Sequence, residues 1–301
     1  MSSFHKSSVK VDILKERVEE AYGILKKCKL CPRECGVDRL AGGKGFCRTG
    51  RFAGVSSAFG HFGEEPPLVG IHGSGAVFFT GCSLGCVFCQ NYTISHLNQG
   101  KIVSEEELSG MMLMLQESGC HNINLVTPTH VVPQIMKALI TAIDKGLNIP
   151  LVYNTGGYES VETLRMLDGV IDVYMPDAKF SDADVSGKLA DAPDYFVKLK
   201  SALIEMHRQV GDLEVDERGI AARGLIIRHL VMPGGTSDVG EIMKFISERV
   251  SKNSYINLMD QYRPEFRAGH FPEINRRITS AEFSGAVDIA AGYGLVRLQQ
   301  Q

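Results

Sequence analysis

The segment AVFFTGCSLGCVFCQN, residues 76–91, decides how the rest of the chain is read. Its first five residues are an apolar run of strand length, and a loop with Gly81, Cys82, Gly85, Cys86 and Cys89 follows at once. From there to the C-terminus apolar runs alternate with helical periods. Residues 104–117 read as a helix with Ser104 and Glu107 as its capping box. Residues 123–126 read as a strand and 131–145 as a helix with Pro133 in its first turn. Further strands are expected at 150–154, 170–175, 225–231 and 255–259, each followed by a helix, at 160–167, 194–209, 239–250 and 280–291. The strands are apolar throughout rather than alternating, as strands covered on both faces are. Six β-α units predict an α/β fold built on a parallel sheet. Periodicity leaves an open doubly wound sheet and a partial barrel both available, and in either the chemistry belongs at the C-terminal strand ends.

Upstream, residues 10–27 have helical periodicity, with Val11, Leu14, Val18 and Ala21 on one face. A cysteine-rich segment follows, and residues 48–75 look extended or irregular, with Glu65-Pro66-Pro67 as a break. The division expected is an N-terminal helix and cysteine-rich extension over 1–70, then a catalytic unit over 71–301. The 301 residues carry 32 Lys+Arg against 35 Asp+Glu, a net charge of −3 that gives no general pull toward nucleic acid or anionic membrane. No apolar run reaches membrane-spanning length, and the polar first ten residues lack the apolar core of a signal peptide. A cytoplasmic protein is expected.

Seven of the eight cysteines fall in two sets, Cys28/Cys31/Cys35/Cys47 and Cys82/Cys86/Cys89. In a reducing compartment clustered thiols read first as metal ligands, while the lone Cys120 reads as a small buried hydrophobe. Three thiolates within eight residues suit a [4Fe-4S] cluster with one iron left open. Zinc with a distant fourth ligand is the competing reading. Zinc ligands usually come in paired two-cysteine knuckles, and this loop lies where an α/β fold keeps its active site, so the cluster is favoured. The upstream CX2CX3CX11C set is complete either for zinc or for a second Fe-S cluster, and spacing leaves the two open.

CX3CX2C after the first strand, with the aromatic Phe88 before the third cysteine, resembles the signature of the radical S-adenosylmethionine superfamily. The continuation Cys89-Gln90-Asn91 is similar to pyruvate formate-lyase-activating enzymes, here with an added N-terminal four-cysteine segment. The resemblance covers about residues 76–259. It implies a (β/α)6 partial TIM barrel in which S-adenosylmethionine chelates the open iron. An electron from the cluster then cleaves it to methionine and a 5′-deoxyadenosyl radical, which takes hydrogen from a substrate. By the same resemblance Phe88, Asn154 at the third strand's end, Asp177 and Lys179 after the fourth, and Arg228 or His229 on the fifth lie toward the cofactor. The implied partners are a glycyl radical enzyme or a peptide substrate, and an electron donor such as flavodoxin or ferredoxin.

One stretch departs from the pattern. Activating enzymes usually carry Gly-Gly-Glu after the second strand to hold the methionine amino group, and here the residues are Thr127-Pro128-Thr129-His130. The Thr127 and Thr129 hydroxyls and nearby carbonyls are the replacements expected, with His130 opening the next helix. A non-catalytic zinc protein that binds nucleic acid through the upstream knuckle is the reading from a different class. The net charge weighs against it, and Lys26, Lys27, Lys29 and Arg33 are as easily a solvated face. Residues 180–193 and 261–278 are expected as barrel-mouth loops, and the acidic stretch 212–217 as a solvated loop.

Overall fold

The structure is a computed structural model and describes residues 7–300. Helix α1 (Ser7–Ile24) leads into the cysteine-rich segment, and the chain then forms β1 (Ala53–His61), α2 (Pro66–Val69) and β2 (Ser74–Phe79). After the cysteine triplet come α3 (Tyr92–Ser95), β3 (Lys101–Val103) and α4 (Glu105–Glu117), with both halves of the Ser104/Glu107 capping box formed. The alternation continues with β4 (Ile123–Val126), α5 (Val132–Asp144), β5 (Leu151–Thr155), α6 (Val161–Met166) and β6 (Val173–Pro176). It ends with α7 (Ala183–Ala190), α8 (Tyr195–Val210), β7 (Glu214–Val215), β8 (Ala221–Leu230), α9 (Val239–Arg249), β9 (Tyr255–Met259), α10 (Ser280–Gly292) and β10 (Leu298–Gln300).

The sheet order is β3-β1-β2-β4-β5-β6-β8-β9-β10. Along this order every pair from β2 to β10 is parallel, each strand laid beside its predecessor, while β7 lies off the path and pairs antiparallel with β8. A doubly wound sheet needs a point where the order reverses. None occurs among these strands, so the sheet curls in one sense as a partial barrel. β1 closes its first edge antiparallel to β2, with β3 antiparallel to β1.

Strand periodicity then distributes the side chains. Leu68 from α2 packs with Val152, Val173, Met175 and Ile226 in a small core of its own, apart from the main core. Two residues further along the same strands, on the same face, stand Asn154, Asp177 and Arg228. Arg228 is also in register with Asn257 on β9. Apolar residues therefore fill one level of this face and polar residues its C-terminal level. On the outside, α1 buries Val11, Leu14, Val18 and Ala21, packs on α5, and is pinned where Lys10 Nζ meets both Asp172 carboxylate oxygens at 2.7 and 2.6 Å.

Several elements differ from expectation. The strand expected from residue 170 starts at Val173, because Val170 closes a turn onto the Leu167 carbonyl. The stretch expected as a break at 65–67 opens α2, whose first two positions are proline. Within 180–193 lies α7, capped by the Asp182 carboxylate on the Val185 amide. Cys120 is buried in the core. Among the described residues no helix is long and apolar enough to cross a membrane.

Candidate active site

The cysteine triplet occupies the loop that leaves the C-terminal end of β2, and backbone bonds clamp it from several sides. Gly85 and Val87 donate their amides to the Ala190 and Leu189 carbonyls at the end of α7, both at 2.9 Å. Gly81 donates to Ile94, and the Val87 carbonyl accepts from the Arg267 amide. Gly81 has φ +82°, and a Cβ there would lie 2.4 Å from the Cys47 carbonyl oxygen, so only glycine fits the close approach of the two cysteine segments. Around the sulfurs, the Leu84 amide donates to Cys82 Sγ at 3.3 Å and Ser95 Oγ lies 3.1 Å from Cys89 Sγ. Burial pushes the Cys82 thiol up to about 12 and raises Cys86 as well, with Lys179 pulling against both. Thiols so held become ligands when a metal replaces their protons.

The polar level of the inner face forms one connected network. Arg228 donates from Nε to Asp177 at 2.8 Å, from Nη2 to Asn154 at 2.8 Å and from Nη1 to Glu64 at 3.3 Å. Lys179 Nζ reaches the other Asp177 oxygen at 2.5 Å, and Asn154 also donates to Glu64. Burial alone would raise the Asp177 carboxyl, yet Arg228 and Lys179 reverse this and hold it below the ordinary carboxylate range. Asn257 donates to the buried Glu65 at 2.7 Å, while its own Oδ1 has no partner. Asn124 on β4 is likewise buried with both amide atoms unpartnered. Asn124 is in register with Val152 in the apolar level, whereas Asn257 is level with Arg228, where its free oxygen is a group that a polar cofactor would satisfy.

The other expected residues divide between the two faces. Phe88 is buried against Phe180 and Tyr262, a wall rather than a hydrogen-bonding group. Thr127 ends β4 with φ +60°, an unusual conformation for a β-branched residue and one that glycine adopts freely. Thr129 does not share the Arg228 network: its hydroxyl donates to the buried Glu159 at 2.5 Å, beside Thr155 and Tyr153, which donate to the same carboxylate. His229 follows Arg228 and so turns to the opposite face, where Nδ1 donates to the Ala178 carbonyl at 2.6 Å. His130 lies in the short turn that opens α5, with Nε2 donating to the Thr80 carbonyl at 2.8 Å. Glu64, Glu65, Asn257 and Glu159 escaped the sequence reading. The first two follow a strand that had no clear period, and the others needed the register to be known.

The upstream cysteines gather beside this loop. Arg33, between Cys31 and Cys35, donates from Nε to the Ser83 carbonyl at 2.8 Å, and its guanidinium lies 3.8 Å over the Phe46 ring. Arg39 bridges the Gly50 and His130 carbonyls. Among the described residues, no group of three or more His, Cys, Asp or Glu side chains converges tightly enough to hold a single metal ion.

A family model, that of the radical SAM superfamily, matches residues 76–203, from β2 and the triplet loop to α8. Residues 76–203 belong to the radical SAM superfamily. Members of that superfamily bind a [4Fe-4S] cluster and S-adenosylmethionine. The chain is 36% identical over 297 residues to an uncharacterized protein of Methanocaldococcus jannaschii, covering 95% of this chain and 81% of that one. Among solved structures, Streptococcus suis SuiB bound to its precursor peptide SuiA matches with a TM-score of 0.49 and 12% identity, over 74% of this chain and 47% of SuiB. HydG, a maturase of the [FeFe]-hydrogenase, matches at 0.49 and 17% identity, over 73% of this chain and 48% of HydG. The chain thus spans about half the length of either structure.

Proposed function

We propose that Cys82, Cys86 and Cys89 hold the radical SAM cluster, and that this enzyme abstracts hydrogen from a glycine of a partner protein. The observation that carries the site assignment is the Asn154, Asp177, Lys179 and Arg228 network, which meets the triplet loop at Gly156, where Lys179 and Leu84 both crowd the position a Cβ would take. When bound, the cluster and S-adenosylmethionine supply one-electron cleavage to a 5′-deoxyadenosyl radical. The chain's own groups do the rest. Cys82, Cys86 and Cys89 would hold the cluster as thiolates. Lys179 and Arg228 offer N–H donors to a carboxylate, while Asp177 and Glu64 offer acceptors to an ammonium. Phe88, backed by Phe180 and Tyr262, forms an apolar wall that excludes water.

The glycine reading is supported by Cys89-Gln90-Asn91 and by Asp177-Ala178-Lys179, the stretches similar to activating enzymes. Thr127, at φ +60° where those enzymes carry glycine, marks a departure from them, and the second reading is radical modification of a peptide or small molecule. The two are separated by the product. The protein would be incubated anaerobically with S-adenosylmethionine, reductant and whatever protein co-purifies with it. A glycyl radical doublet on that partner by electron paramagnetic resonance supports the activase. A mass change in the partner with no persistent radical supports peptide modification and rejects the activase.

A further inference from the structure

Cys28, Cys31, Cys35 and Cys47 all line one pocket, together with Leu30, Phe46 and His130 among others. Four thiols are the full complement of a [4Fe-4S] cluster. The wall is also prepared for a bulky anionic object. Phe46 donates its amide to Cys35 Sγ at 3.4 Å, and the Arg39 guanidinium lies 3.8 Å from Cys28 Sγ. His130 adds an independent sign. Its Nε2 proton is committed to the Thr80 carbonyl, and the buried Nδ1 is left without a partner.

The position of the cavity is as informative as its lining. At one side the Cys47 carbonyl lies against Gly81, the residue before Cys82, and Arg33 ties Cys31–Cys35 to Ser83 within the triplet loop. At the other, Cys35 is exposed. We propose that Cys28, Cys31, Cys35 and Cys47 hold a second, fully ligated [4Fe-4S] cluster that relays electrons from a low-potential one-electron carrier protein to the cluster of the triplet. The carrier, of flavodoxin or ferredoxin class, loses one electron at the Cys35 side, and the second cluster passes from the 2+ to the 1+ state. It returns to 2+ as the triplet's cluster is reduced from 2+ to 1+, and no bond is made or broken.

The test uses the full chain, prepared anaerobically, as wild type, as the Cys82→Ala/Cys86→Ala/Cys89→Ala variant and as Cys31→Ala/Cys47→Ala. Iron, acid-labile sulfide and zinc are counted, and reduced samples are examined by electron paramagnetic resonance. Wild type is expected to hold about eight irons, and each variant about four. The signal of the triplet variant should not respond to S-adenosylmethionine, and that of the upstream variant should, which also shows that the latter is folded. Zinc at one per chain in the triplet variant, or no metal in it at all, overturns the second cluster. For the relay, reduced flavodoxin is mixed with wild type and with Cys31→Ala/Cys47→Ala. The rate at which the triplet's cluster is reduced should fall at least roughly tenfold, and an unchanged rate overturns the relay. Because the metal count is read without turnover, it stands even if the glycine reading fails.

Discussion

Arg228 and Glu159 show how two buried charged groups on opposite faces of one sheet are maintained by different means. Arg228 is compensated by carboxylates, and its fork holds Asp177, Asn154 and Glu64 at once. Arg228→Met would leave Glu64 without its cation and Asp177 with Lys179 alone, and urea unfolding of the purified variant should show a loss of about 1.5–3 kcal/mol. Glu159 has no cation, only the hydroxyls of Thr129, Thr155 and Tyr153, and burial raises its carboxyl from 4.5 to about 7 against their pull. Between those values the folded chain binds the proton more readily than the unfolded chain. Stability therefore falls as pH rises from 4.5 to 7, by about 3 kcal/mol in all, and levels off above. Glu159→Gln should remove that component, so urea midpoints from pH 5 to 8 should decline more steeply for wild type than for the variant. Equal slopes would mean that Glu159 titrates normally. Of these residues Arg228 was legible only as one of a pair with His229, through the resemblance of their strand; the register separates the two, since neighbours on a strand face opposite sides. Glu159 was not, because it follows a Gly-Gly turn and its role depends on Thr129 arriving from a different strand.

Among the elements, those set by local rules were the easiest to read. The capping box of α4, the apolar face of α1 and the run of β9 all depend on neighbours within a turn or two. Leu14 is fully buried on α1, so Leu14→Ala should cost about 2–5 kcal/mol in chemical denaturation. Ser104→Ala should cost only about 1 kcal/mol, because a cap is one hydrogen bond at an exposed end. The elements that sequence reading missed are those made by pairing or docking. β1 is a glycine-interrupted strand defined by β2, and the short helix α7 is held at its C-terminus by the triplet loop. α7 matters because its last carbonyls fix Gly85 and Val87, on either side of Cys86.

At the level of the molecule, a chain that adds parallel strands in one direction produces a cup, and its C-terminal level collects polar side chains from β5, the end of β6, β8 and β9. The order of strands could not be read from periodicity, since a doubly wound sheet has the same alternation; it follows from pairing. The cysteine triplet was legible because its ligands are local. The identity of the substrate is not encoded so compactly, and Thr127 marks where this chain departs from the activating enzymes it resembles. The account rests on Cys82, Cys86 and Cys89 supporting radical cleavage of the cofactor. Anaerobic protein with its cluster assembled, given S-adenosylmethionine and a low-potential reductant, should release 5′-deoxyadenosine, and Cys82→Ala should release none. If the cluster-loaded wild type releases no more than Cys82→Ala, the account is wrong.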